Sequence, residues 1–220
     1  MRSTIQRQVQ AKEWIDIEPR RTATILNVIY RGWEVAWKRD RVQKGTHENE
    51  LNECLRRGMQ EVSKNAANTL PKMIVLEGTQ TCSAPDVRTP DGLTDIPICF
   101  PNLYESTRNL ASIHAIIECK RINGAARTWC RRYVLEGIDR FKSGKYGRRH
   151  YYGFMAAYLD SGDANAAVGG INKFLDEQQR EDEQLGPGTV SDAEWVRRSQ
   201  HRRESGDKPI EIHHVFLSFG

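Results

Sequence analysis

No stretch of this sequence is long and apolar enough to cross a bilayer as a helix, and none has the short apolar core of a secretory signal. The expectation is a cytoplasmic protein without a membrane partner. Cysteine is sparse and irregularly placed, with five residues at 54, 82, 99, 119 and 130 and no Cys-x-x-Cys. An odd count without that spacing argues against a disulfide scaffold and against a zinc cage. Cys99 and Cys119 stand in apolar strand patterns, where a free thiol is a small hydrophobe. No internal repeat is present, which removes solenoids and propellers. Hydrophobic residues make up only 38% of the chain, so the core is modest and the surface heavily charged. A net charge of +4 decides nothing alone; its distribution matters more.

A chain of 220 residues suits one domain with additions. Residues 1–45 read as a helical extension packed on the core, carrying the stripe Ile25, Leu26, Val28, Ile29, Trp33 and Trp37. Residues 46–220 read as a single domain, with its core over 46–160 and an addition over 161–220. The clearest helix starts after Thr46, a candidate cap, and carries Leu51, Leu55, Met59 and Val62. Three strands follow, at Met73 to Leu76, Leu93 to Phe100 and His114 to Arg121, linked as an antiparallel meander. Pro97 points to an edge position or bulge in the second. Next come a helix with Trp129, Tyr133, Val134 and Ile138, a strand over 151–159, and a helix capped by Asp163. The Ser191-Asp192-Ala193-Glu194 box predicts a basic helix over 192–204, and the chain closes on a strand from Ile210. The fold class is α/β, a mixed sheet flanked by helices.

The organising stretch is the third strand. Alternation puts Glu118 and Lys120 on one face, and Ile117 and Cys119 on the other. An acid and an amine at the end of an apolar strand are costly to bury unless they pair or meet a metal. A salt bridge at a strand end satisfies the same pattern. Asp95 opens the second strand. Glu48 lies one turn before Leu51, on the core side of its helix, where it serves either a metal site or the helix dipole. His114 shares the face of Glu118 and reads as a satisfied core histidine. His213 and His214 alternate across the last strand, so only one faces the core.

This element order, helix, three strands, helix, strand, resembles the αβββαβ core of the PD-(D/E)XK, or restriction-endonuclease-like, nuclease superfamily. The likeness covers about 48–159. Asp95-Ile96 matches the acid that opens the second strand there, and Glu118-Cys119-Lys120 matches the (D/E)-x-K of the third. Glu48-Asn49-Glu50-Leu51 resembles the helix-borne acid of Holliday-junction-resolvase-like members, with Glu48 the choice and Glu50 the fallback. The family's proline is absent before Asp95, and Pro90-Asp91 makes Asp91 a rival.

The resemblance implies a Mg2+-dependent nuclease, with Mn2+ a substitute, that hydrolyses phosphodiester bonds, expected in DNA. It places such a protein in prokaryotic or phage defence, repair or recombination. Asp95 and Glu118 would hold the cation with the Cys119 carbonyl, and Glu48 would hold a second metal or a water. Magnesium takes oxygen ligands and keeps several waters, so two carboxylates suffice. Lys120 is either a base, if a cation lowers its pKa, or a charged residue that orients water and contacts phosphate. Lys142, Lys145, Arg148 and Arg149, with Tyr146, form a basic tract suited to phosphates and exposed bases. The partners implied are nucleic acid and either a second copy or a partner subunit. The competing reading is a catalytically silent nucleic-acid-binding or scaffold subunit.

Overall fold

The computed structural model describes residues 15–17, 19–40, 42–66, 71–78, 80–81, 92–101, 103, 113–188, 195–204, 206 and 208–219. Asp91, Trp14, Cys82 and the 191–194 capping box lie outside them. Helix α1 (Pro19–Asp40) and helix α2 (Glu48–Asn65) precede strands β1 (Ile74–Val75), β2 (Gln80–Thr81), β3 (Gly92–Leu93), β4 (Ile96–Cys99) and β5 (Ala115–Asn123). Helix α3 (Arg127–Tyr133) passes through a π-helical turn (Val134–Ile138) into α4 (Asp139–Lys142). Strand β6 (Tyr152–Ser161), helix α5 (Ala164–Glu177), a 3-10 turn (Glu181–Glu183) and strands β7 (Gly186–Pro187), β8 (Val196–His201) and β9 (Ile210–Ser218) complete the chain.

Seven strands form one mixed sheet in the order β1-β4-β5-β6-β9-β8-β7, and β2 and β3 make a separate antiparallel pair. The pairs β5–β6 and β6–β9 are parallel, and the other four are antiparallel. The α/β class and the antiparallel meander are as the sequence predicts. Pro97 stands where β1 has just ended: Leu76 N–H donates to its carbonyl at 2.9 Å, and no amide is asked of it in return.

Alternation divides the core into two layers. Ala115, Ile117 and Cys119 of β5 and Phe154, Ala156 and Tyr158 of β6 face α1 and α2. Ile116 and Ile122, with Met155, Ala157 and Leu159, face α3, α4 and α5. Helices α1 and α2 cross at two glycines. A methyl group at Gly58 would sit 2.0 Å from the Gly32 carbonyl, so only glycine admits that approach. Trp33 is buried and donates its Nε1 to the Ser218 carbonyl at 2.7 Å, which fixes α1 to the last strand as part of the core. The cap predicted at Thr46 is instead His47, which makes no side-chain cap. Asp163 does cap α5, accepting from Ala166 N at 2.8 Å.

Two expectations are corrected. The segment predicted as a basic helix is strand β8, paired antiparallel along its length with β9. Its buried side chains are Val196, Ser199 and His201. Because two of those three are polar, the apolar alternation that marks a strand is missing. Both histidines of the last strand are also buried, one on each side of the sheet. His213 stacks on the rings of Tyr152 and Phe154, and His214 enters a hydrogen-bonded chain on the opposite side.

That chain runs Tyr133 to His214 (2.9 Å), His214 to Ser199 (2.7 Å), Ser199 to His201 (2.6 Å) and His201 to Glu183 (2.7 Å). Burial would raise the Glu183 carboxyl, but hydrogen bonds from His201, Arg180 and Lys142 hold it far below the usual range, so it only accepts. His201 must then carry its proton on Nδ1 and accept from Ser199. His214 donates from Nε2 to the serine and accepts from Tyr133. Every member is satisfied with both histidines neutral. Burial lowers the pKa of His201 and, further, of His214, and with Arg203 it holds His150 down to about 3. The unfolded chain binds those protons below its ordinary histidine pKa of about 6.5, so folded stability falls as pH drops. Urea unfolding at pH 7 and pH 5, in Glu118→Gln so that this oppositely titrating carboxyl does not offset the change, should show a loss approaching about 2 kcal/mol for each histidine that stays neutral. Equal stability at the two pH values would contradict the neutral chain.

Candidate metal centre

The site is built where two strands part. Strand β4 begins at Ile96, opposite Ile117, while β5 runs on to Asn123. The odd-numbered residues of β5 turn their backbone groups toward β4, so Cys119 and Arg121 lose strand partners on that side. Side chains replace them. Asp95, the residue before β4, accepts from Cys119 N at 2.7 Å. Glu48, in the first turn of α2, accepts from Arg121 N at 3.0 Å. The Cys119 carbonyl on the same edge accepts from Lys120 Nζ at 2.9 Å.

Lys120 Nζ also meets Glu48 at 3.1 Å and Glu118 at 2.8 Å, so three hydrogens have three acceptors. Burial opposes the ammonium, but Glu118 and Glu48 outweigh it and raise its pKa. Lys120 is a cation here, and a poor base. Glu118 is wholly buried, and its Oε1 takes both Lys120 and Arg140 Nη1, the latter at 2.6 Å. Its Oε2 has no hydrogen-bond partner. Burial pushes the Glu118 carboxyl up to about 8, with the Asp95 charge adding to the rise and Lys120 and Arg140 opposing it. Burial raises Asp95 as well, against the pull of Lys120. Three carboxyl groups thus face two cations in a mostly dry place, and the proton that burial keeps on Glu118 evens the count.

All four residues predicted to act together, Glu48, Asp95, Glu118 and Lys120, come together here, with Cys119 between them. Glu50 is exposed, so the fallback is not needed. His114 is a core histidine whose Nδ1 accepts from Phe100 N at 3.1 Å. Arg140 escaped the sequence reading as a member of this site. It lies just beyond the π-helical turn, whose Gly137 sits close over Lys120 and Met155.

The basic tract is less available than predicted. Tyr146 is buried, its hydroxyl bonded to the Leu93 carbonyl and Arg140, so it offers no face to a base. Lys142 is tied to Glu183. Lys145, Arg148 and Arg149 are half-buried at the surface.

Among the described residues, no three His, Cys, Asp or Glu side chains form a ready-made metal cage. The carboxylates are strung along Lys120 instead. The donor chemistry still fits a hard, hydrated cation such as magnesium: Glu118 Oε2 is buried and accepts from no donor, and Asp95 lies close enough to raise the Glu118 pKa. No helix of the described residues is long and apolar enough to cross a membrane. The chain matches no known family model, no curated protein and no solved structure.

Because the folded-state pKa of Glu118 is raised, the folded chain holds a proton that the unfolded chain releases above about pH 4.5. The stability this contributes is lost as pH rises from there toward 8, opposite to the histidines. Glu118→Gln keeps a neutral group in place. Wild type should therefore lose stability relative to Glu118→Gln as pH rises from 5 to 8 in denaturant titrations. A constant gap between the two would contradict the raised pKa.

Proposed function

We propose that this protein is a magnesium-dependent nuclease of the PD-(D/E)XK type, acting on DNA. The observation that carries the proposal is the buried Glu118 with one unpartnered oxygen beside Asp95, at the point where β4 and β5 separate. The order α2, three strands of a meander, α3 and β6 supports it as well. Asp95 and Glu118 would hold the cation, and the Cys119 carbonyl, which keeps a second lone pair, can join them. The cation supplies charge neutralisation at a phosphate and a more acidic water. Lys120 keeps its proton and holds Glu48 and Glu118 in register. Glu48 braces Lys120 and the Arg121 amide, which makes it a positioning residue. Lys145, Arg148 and Arg149 supply the flanking phosphate contacts. A cytoplasmic homodimer, with two sites for two strands, completes the reading.

One observation favours the alternative of a silent binding or scaffold subunit: apart from Glu118 Oε2, the carboxylates at the site already have protein partners. Cleavage of plasmid and single-stranded DNA in Mg2+ or Mn2+ separates the two. The nuclease reading predicts metal-dependent cutting that falls about 100-fold or more in Lys120→Ala and Glu118→Ala, with folding retained by circular dichroism. Cutting that survives both substitutions, or an inert wild type that binds DNA equally with and without metal, favours the alternative.

A further inference from the structure

Arg140 reaches Glu118 by an unusual route. The π-helical turn Val134–Ile138 inserts an extra residue into the helix, and such a turn rotates the helical residues beyond it. The four residues of α4 are then held from two sides. Asp139 and Lys142 are tied to Arg180 and Glu183, at the end of the buried histidine chain. Arg140 turns the other way and places Nη1 2.6 Å from Glu118 Oε1 and 3.0 Å from the Tyr146 hydroxyl.

Glu118 therefore has two cations on one oxygen, and they are not equivalent. Lys120 is 7% exposed and bound to three acceptors, so it cannot leave without orphaning several buried groups. Arg140 is 32% exposed, although the carboxyl it holds is wholly buried. A divalent cation on Glu118 would stand beside this guanidinium and be repelled by it. A guanidinium displaced from Glu118, still carried by α4, would turn to the solvent it already partly meets. That is where a phosphodiester, which suits a planar fork of donors, would arrive.

We propose that Arg140 changes partners: it donates to the Glu118 carboxyl in the free protein, and it yields that group to a divalent cation and takes the substrate phosphate instead. The inference rests on the nuclease reading above and names a further substrate-binding residue for it. It also accounts for the buried chain's attachment to α4, which limits how far Arg140 can travel.

The test is calorimetric titration of Mn2+ alone into wild type, Arg140→Gln and Arg140→Lys, with circular dichroism to verify folding. Removing the competing charge should tighten Mn2+ binding roughly tenfold in Arg140→Gln. Arg140→Lys, which keeps the charge, should bind near the wild-type level. Arg140→Gln should also raise the KM for plasmid DNA more than it lowers kcat. Unchanged or weaker Mn2+ binding in Arg140→Gln overturns the exchange, while wild-type binding that disappears in Asp95→Ala leaves the nuclease reading standing. An unchanged KM overturns the phosphate contact. If neither wild type nor Arg140→Gln binds Mn2+, the metal site itself is wrong and both proposals fall together.

Discussion

The site depends on the early parting of β4 from β5. Beyond Ile117 the central strand has a row of backbone groups with no strand to meet them, and they are too enclosed to be left bare. The chain answers with charged side chains. Asp95 accepts from one amide, Glu48 accepts from the next, and Lys120 donates a hydrogen bond to the carbonyl between them. Each of these side chains is recruited for backbone satisfaction, yet the result is a concentration of carboxylates around one ammonium. The same gap in the sheet that creates the structural need creates the chemical opportunity.

The charges are held in place by packing on both sides of the sheet. Helix α2 is anchored by the glycine crossing with α1, which sets where Glu48 stands. On the other side, α4 is fastened through Lys142 and Asp139 to Glu183 and Arg180, and from there through His201, Ser199 and His214 to Tyr133. The second polar system is closed and internally satisfied. The first leaves one carboxylate oxygen unpartnered. That asymmetry, more than the presence of buried charge in either, distinguishes a structural network from a candidate site.

Much of this was legible in the sequence. The alternation in β5 separates Glu118 and Lys120 from Ile117 and Cys119 as the structure does, and the position of Glu48 one turn before Leu51 already placed it on the sheet side. Other features carried no readable signal. Strand β8 buries Ser199 and His201 in place of apolar residues, because they bond each other and reach His214 and Glu183 on other elements, so its pattern imitates a polar helix. Arg140 faces Glu118 only because a π-turn shifts its phase, and helical periodicity assumes no such shift. Tyr146 looked like an exposed aromatic in a basic run, but the long-range bond to Leu93 takes it inside. Local pattern reveals which face a residue occupies, whereas burial of a polar group depends on partners that only the fold brings near.

A crystal of the wild-type protein soaked in Mn2+, measured for anomalous scattering, tests most directly whether Asp95 and Glu118 Oε2 form an oxygen site for a divalent cation. The nuclease reading predicts an anomalous peak between the two carboxylates, at coordination distance from Glu118 Oε2, with Lys120 still bound to Glu48. A peak elsewhere, or well-ordered carboxylates with no peak at saturating Mn2+, would contradict it.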